Sequence, residues 1–321
     1  MMFGDKPTTG PQHLSFLLLH RFSLMAFASA SEPLRIANWL AGETLYEWEL
    51  LSADGQPVMA SNGMQAVTDR SIDEVEKTSI IHVCTSFAPE DVATKPVLSW
   101  LRKQASHGAV IGAMDTGSHI LACAGLLDGY SATIHWMHQE SFSESFPHVN
   151  LVPDLFVIDR DRVTSSGGTS SMDVTLQLIR AQHGKDLAVA VADTFVHNRI
   201  REGDAPQRMN LSQRLATNNR YVVKAVELME SHLEDPLRTS DISSMLNISL
   251  RELERAFQKS LKSTPGGYYR RLRLERARSL LQQTEMSVLE VAISCGFTSS
   301  AHFSRCYRER YGHPPSIDRR I

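Results

Sequence analysis

Apolar positions in the first two hundred residues come as short runs separated by helix-like stretches. Leu14-Ser-Phe-Leu-Leu-Leu19 is a short apolar run of buried-strand type, and a helical segment of roughly 24–40 follows it. Glu47-Trp-Glu-Leu-Leu51 and Ile80-Ile-His-Val-Cys84 read as further strands, and 96–106 reads as a helix. Ala109-Val-Ile-Gly-Ala113 is a strand that runs into a helix after Thr116. Leu155-Phe-Val-Ile158 is a late strand, and 171–182 and 187–196 read as helices. Alternation of this kind predicts a doubly wound α/β domain whose mostly parallel sheet is covered on both faces.

Between His197 and Leu211 the chain turns polar, and no strand-like run follows. The pattern predicts an α/β domain over 1–196, a flexible or loosely packed linker over 197–214, and an all-helical domain over 215–321. Two segments of the last domain resemble each other at an offset of 50: Leu253 with Phe303, Arg255 with Arg305, Phe257 with Tyr307. Each set follows a short helix and a turn. In the first, 239–246 is a helix, Asn247-Ile248 turns the chain, and Ser249 caps the next helix. In the second, 287–294 is a helix, Cys295-Gly296-Phe297 turns the chain, and Thr298 or Ser299 caps a helix running to Arg310. Small Ser244 and Ala292 are expected where the crossing helices approach closely. A helix over 266–283 joins the units, with Leu272, Leu274, Ala277, Leu280 and Leu281 on its apolar side and Arg270, Arg271, Arg273, Arg276 and Arg278 opposite. A rigid joint there fixes the spacing of two reading helices, which must lie about 34 Å apart to enter successive major grooves.

Charge sharpens the contrast between the domains. From Leu215 to Ile321 there are 17 Lys and Arg against 12 Asp and Glu, a balance of +5, while the rest of the chain carries −8 of the overall −3. A basic domain suits a polyanion such as double-stranded DNA, and an acidic one does not. Cys84, Cys123, Cys295 and Cys306 have neither paired nor metal-type spacing and read as buried thiols in a reducing, cytoplasmic setting. No apolar run is long enough to span a bilayer, and Met1 to Gly10 lacks the basic-then-apolar pattern of a secretory signal. No metal or cofactor is expected.

Residues 215–321 resemble the DNA-binding domain of the AraC/XylS family. The resemblance is carried by Ser249-Leu-Arg-Glu-Leu-Glu-Arg-Ala-Phe257, by Arg273-Leu-Glu-Arg-Ala-Arg278, and by the run from Val291 to Tyr307. Gly312-His-Pro-Pro-Ser316 is similar to the family's closing segment, and Ile317-Asp-Arg-Arg320 departs from its usual ending. The resemblance implies two helix-turn-helix units reading DNA. Arg251 and Arg255, one helical turn apart, are base-reading candidates because Arg can bond guanine O6 and N7 together. Ser299, Ser300, His302 and Arg305 occupy the early turns of the second reading helix. Tyr269, Arg270 and Arg273 are candidates for phosphate. Against this stands a plain helical bundle with a solvated basic face.

In the first domain, Ile111-Gly-Ala-Met-Asp-Thr-Gly117 ends a strand in a tight turn and opens a helix, so one side chain, that of Asp115, stands above the helix N-terminus. The amides of Thr116 and Gly117 form an anion-accepting corner. Residues 13–195 resemble the class I glutamine amidotransferase-like superfamily, in the branch that includes PfpI-type proteases, a flavodoxin-like fold. Glu32, the strand–turn–helix, Ala132-Thr-Ile-His-Trp136 and the stretch from Thr164 to Asp173 carry the likeness. Enzymes of that branch hold a nucleophilic Cys at the turn, where this chain has Asp115, and the Gly-Gly pair of their oxyanion site is replaced here by Thr85-Ser86. The resemblance to regulators of the GlxA-like group implies a sensor of a small nitrogenous metabolite, such as glycine betaine, carnitine or arginine, joined to a DNA reader. Pocket candidates are Glu32, Ser86, Phe87, Asp115, Thr116, His135, Trp136 and Thr169. Glu32 and Asp115 favour a cation, and Trp136 offers it a π face. Each has a plainer alternative: Asp115 as a helix cap, Trp136 as core, His135 bonding a carbonyl.

The expected function is an effector-controlled transcription regulator, an activator of catabolic genes, acting as a homodimer with RNA polymerase as a further candidate partner and no membrane partner. The rival reading is an amidase or peptidase with a DNA-binding tail, and a carboxylate at the nucleophile position argues against it. A third is a constitutive DNA binder with an idle sensor.

Overall fold

The computed structural model describes residues 2–7, 10–284 and 286–319, so Arg320 of the closing segment lies outside the described residues. The chain divides into two units, Met1–Gln207 and Arg208–Ile321.

The first unit runs β1 (Gln12–Leu18), α1 (Leu24–Ala41), β2 (Tyr46–Ser52), the short strands β3 (Val58–Met59), β4 (Gln65–Ala66) and β5 (Arg70–Ser71), β6 (Ile80–Thr85) and α2 (Lys95–Ser106). It continues with β7 (Val110–Asp115), α3 (Gly117–Cys123), β8 (Ser131–Ala132), α4 (Gln139–Ser145), β9 (Asn150–Leu151), β10 (Phe156–Asp159), β11 (Arg162–Ser165), α5 (Ser170–His183) and α6 (Lys185–Thr194). The main sheet has the order β10-β11-β7-β6-β1-β2-β5. All its pairings are parallel except β10 with β11. The strand order reverses at β1 and β6, which leaves a crevice beyond their carboxyl ends, the usual ligand side of such sheets.

Period-two alternation builds one core on each face. Leu14, Phe16 and Leu18 of β1 pack with Ala30, Leu34 and Ala37 of α1 and with Leu176 and Ile179 of α5. Leu17, with Ile81 and Val83 of β6 and Ile111 and Ala113 of β7, packs on Leu101 of α2 and Ile120 and Leu121 of α3. Because both faces are covered, these strands are apolar on both sides, which is why their sequences are near-continuous hydrophobic runs. Strand β11 was not expected. Its residues, Arg162-Val-Thr-Ser165, are all buried, yet only Val163 is apolar. The polar groups are satisfied internally: Arg162 Nε donates to the Leu126 carbonyl at 2.7 Å, and Thr164 Oγ1 accepts from the Thr133 amide at 2.9 Å.

Residues 197–214 do not form a loose linker. His197 to Gln207 belong to the first unit, where His197 and Arg201 bond Asp173 and Asp154 bridges to Pro206. Leu211–Arg214 is already a helix of the second unit, α7. A buried carboxylate needs partners, and this polar segment supplies them.

The second unit continues with α8 (Arg220–Glu230), α9 (Thr239–Met245), α10 (Leu250–Leu261), α11 (Pro265–Gln283), α12 (Val288–Ser294), α13 (Ser300–Tyr311) and α14 (Pro315–Asp318). It holds two small cores. One joins Val222, Val226, Ile242, Leu253 and Phe257 with Tyr268 and Tyr269; the other joins Leu280, Leu281, Val291, Phe303 and Tyr307 with Leu274 and Ala277. Helix α11 thus lends its first half to one core and its second half to the other. Among the described residues, no helix is long and apolar enough to cross a membrane.

The tight packing at the end of β7 yields a direct expectation. A Cβ on Gly117 would stand 2.5 Å from the Val83 carbonyl oxygen, a backbone atom that cannot swing away. Gly117→Ala should destabilise the first unit by about 2 kcal/mol or more. The chain's four tryptophans, Trp39, Trp48, Trp100 and Trp136, all lie in this unit, so urea unfolding followed by their fluorescence measures it. An unchanged midpoint would contradict the close approach.

Candidate functional sites

Asp115 closes β7 with φ +59, a left-handed conformation that a non-glycine residue adopts only under constraint. Gly167 is one constraint: a Cβ there would lie 2.7 Å from Asp115 Cβ, and its own φ is +82. Only glycine lets the 166–168 loop sit against the turn. Ser86 Oγ donates to Asp115 Oδ2 at 3.1 Å, and the Thr116 hydroxyl donates to the Ser86 carbonyl. The amide of His135 donates to the Asp115 carbonyl at 3.3 Å. The strand–turn–helix, the Ser86 loop, the His135 loop and the Gly167 loop therefore converge on one residue.

Burial pushes the Asp115 carboxyl up to about 7, against the opposing effects of the Ser86 hydroxyl and the Thr116 amide, which both favour the carboxylate.

The remaining pocket candidates divide. His135 lies beside Trp136, ring centroids 5.6 Å apart, its Nδ1 accepts from the Met137 amide at 3.4 Å, and burial lowers its pKa. Trp136 is 39% exposed, so the core alternative does not describe it. Phe87 is 54% exposed, with the Arg21 guanidinium 5.4 Å from its ring. Thr169 accepts from Arg201 at 2.8 Å. The Glu32 carboxylate pairs with Arg35, one turn along α1, where the two long side chains meet at the surface. Sequence reasoning also passed over Asp173. It is fully buried and accepts from the Arg201 amide (2.8 Å), Nε (2.9 Å) and guanidinium Nη2 (2.6 Å), with His197 Nε2 at 3.1 Å.

Space near the turn is uneven. A cavity of about 10 Å³ lies beneath it among His82, Met114, Ser165, Ser171 and Thr175, room for about one water. A larger cavity of about 320 Å³ opens at the carboxyl ends of β1 and β2, with a floor of Leu18, Leu19, Val58 and Val97 and a rim that includes His20, Asp54 and Asp91. No thiol stands at the turn. Cys84 is buried in β6 and its pKa is pushed up by burial; Cys123, at the end of α3, is also raised. Among the described residues no group of His, Cys, Asp and Glu is arranged to hold a metal.

In the second unit the reading-helix geometry is present twice. Ser249 and Ser299 both cap helices, accepting from the amides of Glu252 (3.2 Å) and His302 (3.3 Å), and Glu252 completes a capping box. Arg251 and Arg255 are exposed on α10; Ser300, His302 and Arg305 are exposed on α13, with Arg305 Nη2 3.2 Å from His302 Nδ1. Left-handed Asn247 and Gly296 make the two turns. From those residues to the caps is two positions in the first helix-turn-helix and three in the second, so the second turn is longer by one residue. Ser244 is exposed; Ser243, 4% exposed, is the small residue at the crossing.

Two phosphate candidates have internal tasks. Tyr269 is buried and its hydroxyl donates to the His232 carbonyl. Arg273 donates to the carbonyls of Cys295 (2.7 Å) and Gly296 (2.6 Å) and lies 4.1 Å over the Phe297 ring. It pins α11 to the turn of the second helix-turn-helix. Arg270 is exposed.

Comparison with known proteins agrees with both halves. Residues 16–181 match the DJ-1/PfpI family and residues 242–321 match a helix-turn-helix domain family. The chain is 46% identical to the HTH-type transcriptional regulator GbdR of Pseudomonas aeruginosa over 309 residues, covering 96% of this chain and 84% of that one. It is 45% identical to CdhR of the same species, with 97% and 92% covered, and 36% identical to GlxA of Rhizobium meliloti, with 99% of each covered. The crystal structure of an AraC family transcriptional regulator from Pseudomonas putida matches with a TM-score of 0.52 at 29% identity, over 58% of this chain and 100% of that one. A THiJ/PfpI family protein from Pseudomonas syringae, at 19% identity and a TM-score of 0.54 over 71% of this chain and 89% of that one, shares the fold.

The charge state of Asp115 is open to measurement. The folded chain prefers the neutral acid, so it binds this proton more tightly than the unfolded chain does. The site is therefore most favourable below the ordinary carboxyl range and loses stability as pH rises through about 7. Asp115→Asn, which mimics the neutral acid, should stabilise the first unit relative to wild type more at about pH 8 than at about pH 5. Urea unfolding at both values checks this; an equal difference at both would place the carboxyl in its ordinary range. With a reader of two capped helix-turn-helix units behind a DJ-1/PfpI domain, the chain belongs to the AraC-type family of DNA-binding transcriptional regulators, in the group that joins the two.

Proposed function

We propose that the protein is an activator of catabolic genes, controlled by a small nitrogenous metabolite that binds the first unit without being turned over. What carries the reading is Asp115: the turn where the resemblance places a nucleophile enters the left-handed region at φ +59 and presents a buried carboxyl. A buried carboxyl is a poor nucleophile toward an acyl group, and no thiol occupies the turn position, which supports a binding role rather than acyl transfer. The effector contacts Ser86, Asp115, Thr116, His135 and Trp136, with Phe87 and Thr169 at the edge; Glu32, paired with Arg35, takes no part. The protein acts as a homodimer on DNA and engages RNA polymerase there.

The first test is binding. Calorimetry with glycine betaine, carnitine and arginine should find a ligand whose affinity falls at least tenfold in Asp115→Asn, and by roughly 0.5–2 kcal/mol in Trp136→Ala if the ring faces a cation. Wild-type affinity in Asp115→Asn, with loss in Asp54→Asn, would move the effector to the 320 Å³ cavity beyond β1 and β2. Turnover of an amide or ester that Asp115→Asn abolishes would restore the enzyme reading.

On DNA, Arg251, Arg255 and Arg305 read bases, with Ser299, Ser300 and His302 beside them, and Arg270 neutralises phosphate. Arg255→Ala or Arg305→Ala should cost about 1–3 kcal/mol at one base position and relax specificity there. Arg273→Ala should instead destabilise the second helix-turn-helix. Footprinting on an operator selected in vitro separates them; unchanged protection by both Arg255→Ala and Arg305→Ala would remove the base-reading assignment.

A further inference from the structure

The segment from His197 to Gln207 is tied down at both ends, and each tie lands on a loop that touches Asp115. At the first end, Arg201 binds Asp173 through its amide, Nε and guanidinium, and also Thr169 Oγ1 at 2.8 Å. Thr169 lies two residues beyond Gly167, which presses on Asp115. At the other end, Gln207 Nε2 lies within hydrogen-bond distance of Thr133 Oγ1 (3.0 Å), the Ile134 carbonyl (3.1 Å) and the Asp154 carbonyl (2.8 Å). Ile134 adjoins His135, whose amide donates to the Asp115 carbonyl. In between, the Gly203 carbonyl accepts from the Leu155 amide at 2.8 Å.

The two ends differ in quality. Asp173 is fully buried and surrounded by donors, so releasing Arg201 would strand a charge in the interior. The Gln207 end is under-satisfied. Its two N–H groups face three acceptors, and its Oε1 is buried with no partner among the described residues. Leaving that position breaks only neutral hydrogen bonds, a smaller loss than stranding the Asp173 charge.

We infer that residues 197–207 are the output strap of the sensor, with Arg201 and Asp173 as its fixed anchor and Gln207 as a releasable latch that responds to the loops around Asp115. The inference rests on the reading that an effector binds at Asp115. An effector that shifts the 134–135 loop by a few tenths of an ångström changes the Gln207 bonds directly. Gln207 is the last residue before the DNA-binding unit. Its release, together with that of the adjoining Asp154–Pro206 bridge, frees the chain back toward Gly203, roughly 13 Å of extra tether at about 3.3 Å per residue, and so alters how freely that unit can pair with a second copy on DNA.

The test uses the full chain, with glycine betaine, carnitine and arginine as probes and an operator selected in vitro. Gln207→Ala should bind the probe within threefold of wild type, while the probe-induced change in operator affinity falls below twofold from a wild-type change of fivefold or more. A response of wild-type size in Gln207→Ala overturns the latch. Should the wild type bind none of the probes, the effector reading fails on its own, and the latch is then judged without ligand. Gly167→Ala would set a Cβ against Asp115 and disturb the turn, and in hydrogen–deuterium exchange it should raise exchange across 203–207 at least threefold while leaving α2 unchanged. Unaltered exchange across 203–207 in this variant overturns the strap as an output element.

Discussion

The first unit depends on a turn with no free space. At the end of β7 the backbone enters the left-handed region at Asp115, and Gly117 must then pass the Val83 carbonyl while Gly167 lies against the Asp115 side chain. Neither glycine can carry a Cβ without moving backbone or the acid itself. Three loops are positioned by this crowding, and so is the carboxyl, which cannot turn to water. Its raised pKa, its bond from Ser86 and its contact with the His135 loop all follow from where the turn forces it. The turn thus makes an acid reluctant to ionise.

The parts of this arrangement that were legible in the sequence are those written in local periodicity. Strands β1, β2, β6 and β7 sit between two apolar layers, so hydrophobic runs betray them, and the helices α1, α2, α5 and α6 show through their own repeat. β11 did not show, because a central strand filled by Arg162, Thr164 and Ser165 looks polar until its distant partners, Leu126 and Thr133, are known. The 197–207 segment misled for the same reason. Its polarity reads as solvent exposure, whereas His197 and Arg201 serve a carboxylate some two dozen residues earlier in the chain. Local pattern records which face of an element is apolar. It does not record which polar groups have found each other.

The second unit repeats the lesson with arginine. Arg255 and Arg273 are the same residue type, and both lie on helices with a basic face. Arg255 is exposed and uncommitted to any carbonyl, whereas Arg273 is held by two carbonyls at a turn and covers the Phe297 ring. The difference comes from the turn itself. The first helix-turn-helix turns at Asn247 and reaches its cap in two residues; the second turns at Gly296 and takes three. A longer turn leaves more carbonyls without helical partners, and Arg273 supplies the donors. The two readers therefore share their caps and outer faces but not their internal fastening.

The acid at the turn also bears on how a charged effector would be recognised. An ionised carboxylate would attract any cation, from metal ions to lysine side chains. A carboxyl pushed up to about 7 is neither fully charged nor fully neutral near physiological pH, and it can donate as well as accept. A cation that approaches must draw the proton off, and it gains the full attraction only if it also excludes water and comes close enough to offset the desolvation that raised the pKa. Small ions that keep their hydration shells gain little. A compact ammonium group with an apolar body, able to lie against Trp136 while facing Asp115, gains from both. For an effector bound as proposed, burial would act as a filter on the class of ligand, since the desolvation that raises the carboxyl's pKa must be offset by contacts that a hydrated ion does not make.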